Sequence, residues 1–87
     1  VHGATPPEAW GGSPERRLAA SETRAALREA LRALPPAQRA VVTLRDVHGW
    51  TAAEVCNALD VSETNQRVLL HRGRTRLRQA LEELFRT

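Results

Sequence analysis

The 87-residue sequence has no lysine, methionine or tyrosine and only one cysteine. A single cysteine excludes an internal disulfide and any zinc site built on a cysteine cluster, so no metal or other cofactor is expected. No apolar run approaches the roughly 18 residues that a membrane-spanning helix needs. A signal-peptide pattern is also missing, which favours a cytoplasmic protein that does not enter a membrane. The length allows one small domain.

The charge of the chain is carried by arginine alone on the basic side. Arginine supplies all 13 basic residues other than histidine, against 10 acidic residues, and the formal net charge is +3. Such a modest net charge indicates a local basic surface that meets an anionic partner. Arginine without lysine, together with abundant alanine, is typical of a GC-rich genome. An arginine at any one position is therefore weak evidence by itself.

Composition divides the chain at about residue 20. Residues 1–20 hold three of the five prolines and three of the five glycines, which predicts a flexible interdomain linker. We expect order to begin with Ser21 as an N-cap, so that residues 21–87 form one folded domain. Because the chain opens with Val1 rather than methionine, we expect it to be part of a longer protein.

Apolar spacing and helix breakers predict four helices and no strand. The first helix is expected to end at Leu34, where Pro35 and Pro36 stop it, and the second to run from Pro36 to about Val47. A short third helix and a long fourth helix, ending near Phe85, complete an all-α fold. The predicted core consists of Leu31, Leu34, Val41, Leu44, Val55, Leu59, Val61, Leu70 and Leu77. Trp50 is also expected to be buried.

The stretch from Thr51 to Arg74 predicts a helix-turn-helix. Thr51 and Glu54 form a capping box, Asp60 tolerates the left-handed backbone of a tight turn, and Ser62 is a good N-cap for the last helix. In this motif the second helix enters the DNA major groove. The alternative from spacing alone is an ordinary antiparallel helix pair with a short loop.

The last helix is strongly basic on one side. Between Ser62 and Arg78 it holds five arginines, one histidine and a single acid, Glu63. Polar residues come first, where a recognition helix meets base edges, and arginines follow, where it meets phosphates. A solvated face held by salt bridges is the alternative, but such a face would alternate in sign.

These motifs resemble region 4 of bacterial extracytoplasmic-function sigma factors. The matching segments are Leu34-Pro35-Pro36 with Arg39, Leu44-Arg45, Gly49-Trp50-Thr51, Glu54-Val55-Cys56 and His71-Arg72-Gly73-Arg74. The resemblance implies a four-helix domain with a C-terminal helix-turn-helix and no wing. It implies binding to the −35 element of double-stranded promoter DNA and docking on the β flap of RNA polymerase core. It also implies an anti-sigma partner and no small-molecule substrate.

The resemblance and the helical positions together predict the DNA-binding residues. They are Arg45, Thr51, Ala52, Ala53, Ser62, Glu63, Thr64, Asn65, Arg67, Val68, His71, Arg72 and Arg74. Arg45 is expected to bind phosphate, and the amides from Thr51 to Ala53 are expected to meet a phosphate at a helix start. Arg67 is expected to donate to a guanine, with phosphate binding as its alternative.

Three positions depart from the family pattern. Asp60 replaces the usual turn glycine, and Val68 replaces a small polar residue, where it could pack on a thymine methyl or on an aliphatic neighbour. Gln66 falls on a normally apolar inner position. It therefore needs a hydrogen-bond partner or a shifted helix register.

Two other classes of function remain open from the residues. The effector domain of a response regulator has a similar four-helix design, although it usually dimerises through its last helix and lacks the Pro-Pro junction. An enzyme could use Asp46, His48 and Cys56, but no glycine-rich phosphate cradle or carboxylate pair accompanies them, so no catalytic activity is expected. Promoter binding that requires polymerase favours the sigma domain, and autonomous binding to a palindrome favours the effector domain.

Overall fold

The computed structural model describes residues 13–86, and this part of the chain contains four helices and no strand. Helix α1 spans Pro14–Arg32, α2 spans Pro36–Val42 and continues as a π-helical turn over Thr43–Val47, α3 spans Ala52–Leu59, and α4 spans Glu63–Phe85. The all-α prediction is confirmed. None of these helices is both long enough and apolar enough to cross a lipid bilayer.

Helix α1 begins earlier than composition predicts. The Ser13 hydroxyl caps it by accepting from the Arg16 amide at 3.2 Å, and Pro14 follows at the first helical position, where no N–H is needed. Ser21, the predicted N-cap, lies inside the helix, so the prediction that order begins at Ser21 is wrong, while the linker role of residues 14–20 stays a prediction. The linker prediction for residues 1–12 lies outside the described residues.

The core lies where the four helices meet. Its buried members are Ala30, Leu34, Val41, Val42, Val55 and Leu70, and Leu31, Leu44, Leu59, Leu69 and Leu77 pack around them. The predicted core is therefore largely confirmed, although Leu31, Leu44, Leu59, Val61 and Leu77 are only partly buried. Ala30 and Val42 are buried but missing from the prediction. Trp50 contradicts its prediction, because 38% of its surface is exposed at the junction before α3.

Helices α2 and α4 lie close together at Gly73. A Cβ atom added to this residue would lie 2.5 Å from Val42 Cγ2 and 3.3 Å from the carbonyl oxygen of Gln38. Val42 is fully buried and β-branched, so it has little freedom to move aside. The absence of a side chain at Gly73 therefore sets how close the two helices can lie.

The turn between α3 and α4 has the conformation predicted from its residues. Asp60 is left-handed, with φ 56° and ψ 51°, and the amide of Val61 donates to the carbonyl of Cys56 at 3.1 Å. The Ser62 hydroxyl accepts from the Asn65 amide at 3.0 Å and starts α4. These local contacts fix the direction in which the last helix leaves the turn.

Candidate nucleic-acid interface

The exposed surface of the first three turns of α4 is the candidate site, and we call it the reading face. It consists of Glu63, Thr64, Asn65, Arg67, Val68, His71 and Arg72, all of which are exposed. The opposite side of the same helix buries Gln66, Leu70 and Gly73 against the core. The packing therefore turns outward every predicted α4 contact of the first three turns. Their contact with DNA stays a prediction.

The centre of the reading face is a shallow depression with cationic walls. Arg67, Val68, His71 and Arg72 line it, and Val68 presents methyl groups between the charged side chains. Arg67 Nη2 lies 3.4 Å from Glu63 Oε1, and both side chains are more than half exposed. An exposed pair of this kind contributes little to stability, so either partner can turn to a base or phosphate at small cost.

The N-terminus of α3 offers fewer free donors than the sequence predicts. The Thr51 amide donates to Glu54 Oε1 at 2.8 Å, while the Glu54 amide donates to Thr51 Oγ1 at 3.1 Å. The Thr51 amide is therefore occupied within the capping box. Helix geometry leaves the amides of Ala52 and Ala53 as the donors for a phosphate, with the Glu54 carboxylate beside them.

Arg45 is engaged with the protein rather than extended into solvent. It lies in the π-helical turn, where the His48 amide donates to the Thr43 carbonyl at 3.0 Å. Its Nη1 donates to Gln66 Oε1 at 2.8 Å, and Gln66 is 2% exposed. The predicted need of Gln66 for a hydrogen-bond partner is thus confirmed. The partner is Arg45, which was predicted from the sequence to bind phosphate.

Arg74 is also bound within the protein. Its Nε and Nη2 donate to the two carboxylate oxygens of Asp46 at 2.8 and 2.6 Å. This hydrogen bond from Arg74 is the largest cause that lowers the pKa of Asp46, and the same bond raises the pKa of Arg74. We call the four residues Arg45, Asp46, Gln66 and Arg74 the seam, because they join the π-helical turn to α4.

A second depression beside the reading face was missed by the sequence prediction. It is lined by Gln38, His71, Arg72, Thr75, Arg76 and Gln79. Arg72, Thr75, Arg76 and Gln79 follow helical spacing, so continuing the polar face of α4 by two turns would have found them. Gln38 comes from α2 and no local pattern predicts its presence here. Within residues 13–86, no group of three or more histidine, cysteine or acidic residues could hold a metal ion.

The fold and this surface define a helix-turn-helix domain with an exposed, basic second helix. Residues 24–77 match the family described as sigma-70, region 4, which is more than half of the chain. The chain belongs to the sigma-70 region 4 family.

Two curated relatives share part of this region. Over 48 residues the chain is 48% identical to proteins named ECF RNA polymerase sigma factor SigG from two strains of Mycobacterium tuberculosis. The match covers 55% of this chain and 13% of each relative. The chain thus spans a small part of the length of the relatives it matches.

Proposed function

We propose that the chain recognises the −35 promoter element as the C-terminal domain of an extracytoplasmic-function sigma factor. Membership of the sigma-70 region 4 family supports promoter recognition by a sigma factor. The observation that carries the finer proposal is the reading face. Arg67, Val68, His71 and Arg72 share one exposed surface of a helix whose other side is buried.

The reading face has the chemistry that major-groove recognition requires. A guanidinium at Arg67 can donate two hydrogen bonds to guanine O6 and N7, and the Val68 methyl groups can pack on a thymine methyl. Glu63 steadies Arg67 or accepts from a cytosine amino group. His71 and Arg72, one turn further on, lie where a recognition helix meets the phosphate backbone.

The proposed partners follow from the same assignment. RNA polymerase core, through its β flap, and an anti-sigma protein would bind apolar surface outside the reading face. Leu18, Val47, Leu84 and Phe85 are between 44% and 62% exposed and supply such surface on α1, the π-helical turn and α4. A cytoplasmic location is part of this proposal.

The test starts from duplexes with a randomised −35 region and selects those that bind the chain, with and without RNA polymerase core. We expect enrichment of one short motif, strengthened by polymerase. Arg67→Ala should relax selection at one base pair, whereas Arg28→Ala, which removes the same charge from exposed α1, should leave the motif unchanged. Selection of a palindrome by a dimer without polymerase would instead assign an effector domain.

A further inference from the structure

We propose that Arg45 is a positioning residue, which orients the reading face through its bond to Gln66 and does not itself bind phosphate. This inference rests on the proposed function, because it assigns the reading face a base preference to protect. It concerns a bond that joins residues 21 apart in the chain.

The position of Gln66 makes its partner important for recognition. Gln66 directly precedes Arg67, and it shares the buried stripe of α4 with Leu70 and Gly73. A buried amide oxygen without a donor is strongly unfavourable, so loss of the partner would drive the first turns of α4 to move. Any rotation that brings Gln66 toward water carries Arg67 away from its place by the same angle.

The π-helical turn holds two consecutive residues against α4. Arg45 reaches Gln66, and Asp46 reaches Arg74, which is about 12 Å further along α4. Two attachments at separate heights resist both rotation and tilt of the helix. A π-helical turn is an uncommon conformation that often occurs at functional sites, and here its residues hold the helix that carries the reading face.

The surroundings of Arg45 also keep it from phosphate. Its side chain is half-buried, and one guanidinium nitrogen already donates to an acceptor that is 2% exposed. The positive charge of Arg45 lies near Asp46, where it contributes to the low pKa of that carboxylate. A phosphate could bind only the remaining guanidinium donors of this half-buried side chain, and turning the guanidinium toward the phosphate would leave Gln66 without a donor in the core.

The test compares four proteins in the same binding selection and in salt titrations: wild type, R45M, Q66L and the double variant. In both single variants, the ratio of affinities for the preferred and the changed base pair at the position that Arg67 reads should fall about tenfold. The double variant should recover wild-type discrimination, since it leaves neither the buried amide oxygen of residue 66 nor the half-buried guanidinium of residue 45 unpaired. All four should show the same salt dependence of binding, because Arg45 displaces no counterion.

A phosphate role for Arg45 gives the opposite pattern. The salt slope, which is the slope of the log binding constant against the log salt concentration, would then become shallower by about one unit in R45M and in the double variant. Q66L would keep the wild-type base preference. Arg39 provides the matched control, because it donates from α2 to the Leu34 carbonyl at 3.1 Å within the same part of the fold. R39M should keep the base preference, and a change as large as in R45M would overturn the inference.

Measurements without DNA separate this inference from the proposed function. In thermal unfolding, the double variant should be more stable than the sum of the single effects predicts. The amide NMR signals of Arg67 and His71 should shift in both single variants and return in the double variant.

If wild type selects no motif, the proposed function fails, while these readouts still test whether Arg45 and Gln66 act as a pair. Additive stabilities would overturn the positioning role whatever DNA shows. Q66E keeps the acceptor, so loss of base preference in that folded variant would also count against it.

Discussion

The reading face and the seam use the same residue type in two different ways. On the reading face, Arg67 makes one long contact with Glu63 at 3.4 Å and its side chain is 70% exposed. In the seam, Arg45 and Arg74 donate to Gln66 and Asp46 at 2.8 Å or less. The positive charge of α4 therefore overstates the number of arginines available to DNA. Availability depends on which acceptor each guanidinium meets in the folded chain.

The largest expected effect comes from breaking the helix crossing that supports both regions. Gly73→Leu should destabilise the domain by about 3 kcal/mol, because the new side chain would overlap Val42 and the Gln38 backbone. Thermal or denaturant unfolding measures this change. Gly73→Ala is the matched test: it should destabilise wild type but stabilise a Val42→Ala background, where alanine gains about 1 kcal/mol in helix propensity. Stabilisation in both backgrounds would show that the crossing is not tight.

The second-largest effect is expected from removing an arginine from the reading face. Arg67→Ala should weaken binding to the preferred duplex by about 1–3 kcal/mol and relax selection at one base pair. Equilibrium titrations on matched and single-base variant duplexes measure both quantities. If affinity falls evenly for all sequences, Arg67 binds phosphate and the reading face is rotated from the position proposed.

A smaller effect is expected when a seam arginine is released. Asp46→Asn removes the carboxylate that holds Arg74, so Arg74 becomes able to reach a phosphate. Affinity for duplexes of unrelated sequence should rise, and the salt slope should steepen by about one unit. Adding Arg74→Ala to Asp46→Asn should cancel the gain. A gain that persists in the double variant would come from the lost negative charge alone.

The smallest expected effect is the pH dependence of the Asp46–Arg74 pair. The hydrogen bond from Arg74 lowers the pKa of Asp46 below its ordinary value of 3.8, so the pair stabilises the fold above that pH. The contribution should fade as pH falls through the lower folded value. Because both groups are partly exposed, it is worth about 1 kcal/mol or less. The melting temperatures of wild type and Asp46→Asn should therefore converge below about pH 4. A constant difference would contradict this account.

Local signals predicted the helix-turn-helix well because its determinants are close in sequence. Thr51 with Glu54, Asp60 and Ser62 each act on backbone within a few residues, and each has the predicted geometry. The reading face followed from helical spacing in the same way. Its orientation could be predicted because only the apolar side of α4 was suited to pack against the core.

The missed features depend on contacts that sequence spacing does not encode. Arg74 meets Asp46 across 28 residues, so its charge appeared free when only α4 was considered. The start of α1 was misplaced because Pro14 was counted as a linker residue, whereas its position after Ser13 makes it a helix-starting residue. The π-helical turn has no sequence signature comparable to a cap.

The exposed beginning of α1 has a geometric consequence. Residues 13–25 are all exposed, yet the chain is helical from Pro14 onward, so the exposed half of α1 is a helix about 18 Å long. A helical segment fixes the rotational orientation of its outer end as well as the distance of that end from the core. One residue inserted within it would turn its outer end by about 100°, whereas seven residues would lengthen it by about 10 Å and nearly restore the original bearing. An insertion in this segment therefore preserves the orientation of its outer end only when it adds whole helical turns.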